Sequence, residues 1–159
     1  MKKDNKLPIT LSTIKFSAYD AESPVAKSYP GIAFFDDRRD FSMNLRQSAL
    51  AVLLYFSNQS PHGVRRPVSV ALIDDDTTKV TSTTTVRVNI PGDELGTTIR
   101  VDFPFAYADF DRSHTYNICV RDDKSGAILG VRSFHMSEEL YCGKPILDCS
   151  SATMGGVSK

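Results

Sequence analysis

Neither sign of charge is in excess in this chain. Lys plus Arg number 19 and Asp plus Glu number 19. A general nucleic-acid binder carries a basic surplus to neutralise phosphates, so that class is not expected. Long apolar runs are also missing. None approaches the ~18 residues of a membrane-spanning helix. The start, "MKKDNKLPITLSTIKF", is basic but has no signal-type apolar core, because Pro8, Thr10, Ser12, Thr13 and Lys15 interrupt it. These absences predict a soluble, cytoplasmic protein. Cysteine occurs only three times. No two stand as C-x-x-C, and no histidine has ligand-like spacing from one, which argues against a four-ligand zinc site. Cys119 reads as a small buried hydrophobe. Cys142 and Cys149 are near each other and suit either a disulfide or two free thiols. No G-x-S-x-G elbow and no G-x-x-x-x-G-K-S/T loop occurs, so neither a hydrolase nucleophile nor a nucleotide cradle is indicated.

What the sequence does have is alternation. Tyr116, Ile118 and Val120 alternate with Thr115, Asn117, Cys119 and Arg121, the two-residue period of a half-buried strand. The following "DDKSG" suits a hairpin turn in which Gly126 takes positive φ. The return strand carries Leu129 and Val131 on one parity and Phe134 and Met136 on the other. That predicts a bulge between Gly130 and Ser133. Val68, Val70 and Leu72 alternate upstream, as do Val86, Val88, Ile90 and Ile99, Val101, Phe103. Near the start, Leu7, Ile9 and Leu11 fit one face and Ile14 and Phe16 the other, so a second bulge is expected near Ser12.

Residues 44–58, "NLRQSALAVLLYFSN", satisfy two periods. Leu50, Val52, Leu54 and Phe56 make a strand face, and Leu45, Ala49, Val52, Leu53 and Phe56 make a helical stripe. The loop-like "SNQSPHGVRRPV" that follows favours the strand. The predicted fold is all-β: an antiparallel β-sandwich of eight or nine strands, Greek-key or immunoglobulin-like, over residues 1–136. Residues 137–159 lose the pattern. They read as a tail that either wraps the sandwich through Leu140, Tyr141 and Ile146 or extends freely.

"HTYNICVRDDKSGAILGVRSFHM" resembles the closing hairpin of immunoglobulin-like, macroglobulin-type and C2-like sandwiches. The resemblance covers about one seventh of the chain and consists of strand grammar, so it implies a fold and no functional residue. The chain has no tryptophan, hence none of the Cys–Trp–Cys core of antibody domains. The hairpin is also similar to sandwich modules of bacterial multi-domain proteins, some of which carry AAA-type ATPase regions. A sandwich has edge strands whose backbone groups can pair with a partner strand, so a protein partner met through an edge strand or loop is expected, and the similarity implies a multi-domain ATPase assembly as its setting.

Several residues were weighed as sites. His114 and His135 face each other across the hairpin in this reading and are expected to be a polar margin pair. His62 falls in a loop. Arg38-Arg39 and Arg65-Arg66 read as solvated pairs. Asn58-Gln59-Ser60 matches a glycosylation triplet, but Pro61 follows it. Asp36-Asp37, Asp74-Asp75-Asp76, Asp109, Asp111 and Asp122-Asp123 cluster in turn-like stretches, where aspartate is favoured anyway. If the strands alternate in direction, Asp74, Asp76, Asp109 and Asp111 share one end, while Asp122 and Asp123 lie at the other. The first group is the candidate metal set, for calcium, which takes six to eight oxygens. The expected function is a non-catalytic binding or accessory module for another protein, with no cofactor. A calcium or small polar ligand at the Asp74/Asp109 end is the alternative, and an enzyme using Cys142, Cys149 or His135 is the third.

Overall fold

The computed structural model describes residues 6–19, 36, 40–43, 48–104, 110, 111 and 113–136. Asp37, Arg38, Arg39, Asp109, Cys142, Cys149 and the proposed 137–159 tail lie outside the described residues. The chain is all-β, with no helix among the described residues and therefore none long and apolar enough to cross a membrane. Eight strands form: β1 (Ile9–Tyr19), β2 (Ser42–Met43), β3 (Ala49–Asn58), β4 (Val64–Asp74), β5 (Lys79–Ile90), β6 (Gly96–Pro104), β7 (Thr115–Asp122) and β8 (Ile128–Met136). They make a three-stranded sheet, β1-β3-β6, and a five-stranded sheet, β2-β8-β7-β4-β5. Every ladder is antiparallel except the short parallel pairing of β2 with β8.

The alternation in the sequence sets which face is buried. On the small sheet, Phe16, Val52 and Val101 form one cross-strand row, and Ala18, Leu50 and Phe103 another. On the large sheet, Leu72 opposes Ile118 and Val70 opposes Val120. All of these except Ala18, which is half-buried, are buried in one continuous core. Each fully buried Leu, Ile, Val or Phe contributes ~1.5–3 kcal/mol by leaving water. The ambiguous segment is strand from Ala49 to Asn58, with Leu50, Val52, Leu54 and Phe56 facing the core as the strand reading requires. Ala49 and Ala51 on its other face are buried as well. They are small enough to sit beneath Tyr19 and Asp102 of the flanking strands, whose side chains join by a 2.6 Å hydrogen bond.

Both expected bulges exist, and one is misplaced in the sequence reading. The β1–β3 register shifts between Leu11 and Thr13, leaving Ser12 as the extra residue, and its hydroxyl donates to the Tyr55 carbonyl at 3.0 Å. In the closing hairpin, Val120 opposes Gly130 and Arg121 opposes Ile128, so the extra residue is Leu129, not one between Gly130 and Ser133. From Gly130 the parity then runs without interruption to Met136. Val131 consequently faces out, 53% exposed, and Arg132 faces in. The inward arginine is satisfied: its Nη1 donates to the carbonyls of Ile14 (2.7 Å) and Asp36 (3.0 Å), and its guanidinium lies 4.4 Å from the centroid of the Phe16 ring. Gly130 leaves the space that Leu11 fills, since a Cβ there would stand 2.8 Å from Leu11 Cδ2. At the turn, Gly126 has φ 78° and donates its N–H to the Asp122 carbonyl at 2.8 Å.

The two lateral seams of the sandwich differ. On the β1 side, Asp36 exchanges both backbone hydrogen bonds with Phe16, at 3.0 and 2.6 Å, and Arg132 ties that junction to β8. On the opposite side, β6 and β5 end their sheets, and among the described residues each pairs with one neighbour only.

Candidate functional site at one end of the sandwich

The inward register positions of β4 and β7 end in aspartates. At one end Asp74 opposes Tyr116, and at the other Asp122 opposes Val68. Asp74 has an imidazole partner and Asp122 a guanidinium, and the two ends differ in how they are built.

At the first end, Asp74 Oδ1 accepts the backbone N–H groups of Asp76 (3.0 Å) and Thr77 (3.2 Å), which closes the turn after β4. Thr78 completes that turn at φ 59°. Asp76 Oδ2 accepts the Thr115 N–H at 2.9 Å, and Asp75 Oδ1 accepts the Asn117 amide at 3.1 Å. His114 stands between two loops, with Nδ1 2.8 Å from Asp74 Oδ2 and Nε2 3.4 Å from Asp111 Oδ2. Asp111 Oδ1 accepts from the N–H and hydroxyl of Ser113, and its own N–H donates to the Tyr116 hydroxyl at 2.6 Å.

A ring with a carboxylate at each nitrogen suits the imidazolium, in which both nitrogens donate. The Asp74 hydrogen bond therefore raises the His114 pKa, and the nearby charges of Asp111, Asp74 and Asp76 add to it against a smaller opposing effect of burial. Burial pushes the Asp74 carboxyl up, but the hydrogen bonds from His114, Thr77 and Asp76 together outweigh it and hold its pKa below the ordinary carboxylate value. Asp111 is also lowered, first by Ser113. A raised histidine pKa contributes stability below the unfolded-state value, and this is lost as pH rises through the folded value. A lowered aspartate pKa contributes above the unfolded value and is lost as pH falls. The contact is therefore fully formed between the two. The thermal midpoint of His114→Gln should fall further below wild type at about pH 5.5 than at about pH 8.5. An equal gap at both pH values, read by thermal melts, would show that folding leaves the His114 pKa unraised.

The structure thus brings together Asp74, Asp76 and Asp111, with His114 joining them, while Asp109 lies outside the described residues. His114 and His135 do not form the expected pair. His135 opposes Thr115 and Ser42 on an exposed position, whereas His114 turns to the β4 turn. The reason is the carboxylates: two of them outbid a neutral ring for the imidazole. One ligand atom from each of Asp74, Asp76 and His114 lies within 4.8 Å of the others, a spacing that three donors around one cation would need.

At the second end, Asp122 is fully buried and takes both prongs of Arg66, Nε to Oδ1 at 2.8 Å and Nη2 to Oδ2 at 2.7 Å. Ser125 donates its N–H and hydroxyl to the same Oδ2. Arg66, through these hydrogen bonds, holds the Asp122 carboxyl far below the usual range against the effect of burial, with Ser125 assisting. Asp123 accepts the Ser69 hydroxyl at 2.7 Å. Arg66 is thus not the solvated residue expected of an Arg-Arg pair, because its parity points inward beside Val88. Arg65 is exposed as expected. Asn58 is also committed: its Oδ1 accepts the Ser60 N–H and its amide donates to the Glu94 carbonyl. Cys119 is half-buried on the outer face of the large sheet rather than in the core. Arg66 and Asp74, the β4 partners of Asp122 and His114, are 56 and 40 positions away, so only a correct placement of β4 beside β7 shows them.

No family model matches this sequence, and no match is found among curated proteins. Among solved structures the chain is similar to a glycosyl hydrolase family 2 member from Bacteroides cellulosilyticus DSM 14838, at 9% identity and TM-score 0.43, over 54% of this chain and 12% of that one. It is also similar to the alkylpurine DNA glycosylase AlkC of Pseudomonas fluorescens bound to DNA containing an abasic-site analogue, at 14% identity and TM-score 0.48, over 83% and 31%. A β-glucuronidase from glycoside hydrolase family 2 is similar at 10% identity and TM-score 0.43, over 79% and 12%. The chain spans between 12% and 31% of the length of these proteins.

Proposed function

We propose that this chain is a non-catalytic, immunoglobulin-like β-sandwich that serves another protein as a binding or accessory module. The immunoglobulin-like reading draws on the strand order and on Tyr116, whose hydroxyl at the start of β7 holds the backbone a few residues upstream at Asp111. The single observation that carries the binding reading is the asymmetry of the seams. One is closed by Asp36 and Arg132, and at the other β5 and β6 each have an edge that no strand pairs with among the described residues. The outer face of the large sheet exposes Val131 (53%) and Ile128 (56%) on β8 and Val80 (53%) on β5, with Cys119 and Ala71 on the strands between. Exposed apolar side chains on one sheet face suit a contact surface. A photo-reactive residue at Thr85 on β5, or at Val131, should yield adducts with a polypeptide in cells. The same residue at Thr10 on β1 should yield none. Adducts from Thr10 alone, or from no position, would sink the reading.

A second reading, a divalent-cation site, is favoured by the 4.8 Å grouping of Asp74, Asp76 and His114. Imidazole nitrogen suits zinc better than calcium, which prefers oxygen. On this reading zinc raises the thermal midpoint of the wild type and leaves His114→Gln unmoved, because a ligand of the folded state stabilises it. No shift with zinc or calcium would remove the cation.

A further inference from the structure

We propose that β5 pairs edge to edge with β5 of a second copy of this chain, antiparallel about a two-fold axis at Thr84. This rests on the binding-module reading and names its partner. Among the described residues, β5 and β6 each leave one edge unpaired by another strand, and the two edges are not alike. The β6 edge is protected: Arg100 and Asp102 form a two-pronged ion pair on it, Tyr19 reaches Asp102, and Pro104 ends the strand. β5 reads KVTSTTTVRVNI and has no proline or glycine. It has no inward-pointing charge in its regular part either, since the inward residues there are Ser82, Thr84, Val86, Val88 and Ile90. The bulge at Thr81 and the cations Lys79 and Arg87 bound a stretch, Ser82–Val86, that carries no charge, proline or glycine and has the composition of a paired strand.

The strand is also self-complementary. The β4–β5 register shifts past Thr81, and Val88 and Ile90 are buried, so Ser82–Val86 is the stretch that is both regular and accessible. Thr84 is its centre. Pairing about Thr84 sets Thr84 against Thr84, Thr83 against Thr85 and Ser82 against Val86, and keeps inward residues beside inward residues. Threonine pairs of this kind are favourable across antiparallel strands. The two cations of β5, Lys79 and Arg87, then face Asn89 and Thr81 of the second copy. Moving the axis one residue, to Thr83, would set Lys79 against Arg87 and oppose like charges. A two-fold edge contact is closed, so it gives a dimer and not a fibre. The large sheets of the two copies become one.

The test is the mass in solution, by sedimentation velocity of the full chain. Wild type should sediment as a dimer at micromolar concentration. Thr84→Lys and Thr84→Glu should each be monomeric with an unchanged circular dichroism spectrum, and an equal mixture of the two should recover the dimer. Thr84→Cys should form an inter-chain disulfide above the wild-type level under mild oxidation, because directly opposed Cα atoms in such a pair stand within disulfide reach. Thr98→Cys on β6 should not. A wild-type monomer, or a dimer that survives both charged variants, overturns the proposal. If that monomer still gives Thr85 adducts with a different polypeptide, the dimer falls and the binding-module reading stands.

Discussion

Asp122→Ala should destabilise the protein by about 3 kcal/mol at neutral pH, read from urea denaturation. The substitution removes the partner of a guanidinium that is only 14% exposed. A half-buried cation left without its anion is the costly case, since neither water nor protein then compensates it. The small exposure of Arg66 is why the low end of the range for broken buried pairs applies. The same change frees the N–H and hydroxyl of Ser125, so the β7–β8 turn loses its internal ties. Arg66→Met in the Asp122→Ala background should recover part of the loss, because removing both charges leaves no uncompensated ion. A loss below about 1 kcal/mol would mean that the pair contributes no more than a surface ion pair. Because the folded Asp122 pKa is held far down, its contribution is present above the ordinary carboxylate pKa and disappears only in strong acid.

Phe16→Ala should cost about 4 kcal/mol, within the usual range for deleting a buried aromatic ring. Phe16 is completely buried and touches three partners at once. The Phe41 ring is 5.2 Å away, Phe134 meets it edge-on at 5.6 Å, and the Arg132 guanidinium lies over its face at 4.4 Å. Truncation therefore opens a cavity and also removes the surface on which an inward cation rests. Phe16→Leu keeps much of the volume and should cost less than half as much. Equal effects of the two, in the same denaturation assay, would show that volume is irrelevant there and that the loss comes from Arg132 alone.

The strands were legible because one face of each is buried, and burial on one side writes a period of two into the sequence. Ser12 was legible for the same reason: a parity change between Leu11 and Ile14 leaves no other explanation. Residues 49–58 were harder, because Ala49 and Ala51 are covered on the outer face and the strand looks apolar on both sides. The bulge in β8 was misread through Val131. Its parity groups it with Leu129, yet Val131 faces out and the neighbouring Arg132 faces in. No local pattern distinguishes an arginine that caps two carbonyls from one that is solvated. The candidate site was legible only in its carboxylates. Strand alternation was enough to bring Asp74, Asp76 and Asp111 to one end, but His114 was assigned to its hairpin neighbour because the β4 turn was not placed beside it. Arg66 reads as solvated and Asp122 as a turn residue, and nothing local joins them, since the contact spans 56 positions.

The arginine that seals the closed seam is also the last part of that junction to be synthesised. Its bond to the Ile14 carbonyl joins residues 118 positions apart, near the limit of what the strands span. During synthesis β1, β3 and β6 can be complete while residue 132 is still unmade, so the Phe16 junction stays open until β8 arrives. A topology with its fastening at the far end of the chain has high contact order, and closing so long a loop is entropically slow. The half-made sandwich meanwhile exposes Phe16 and the unpaired side of β1 to other chains.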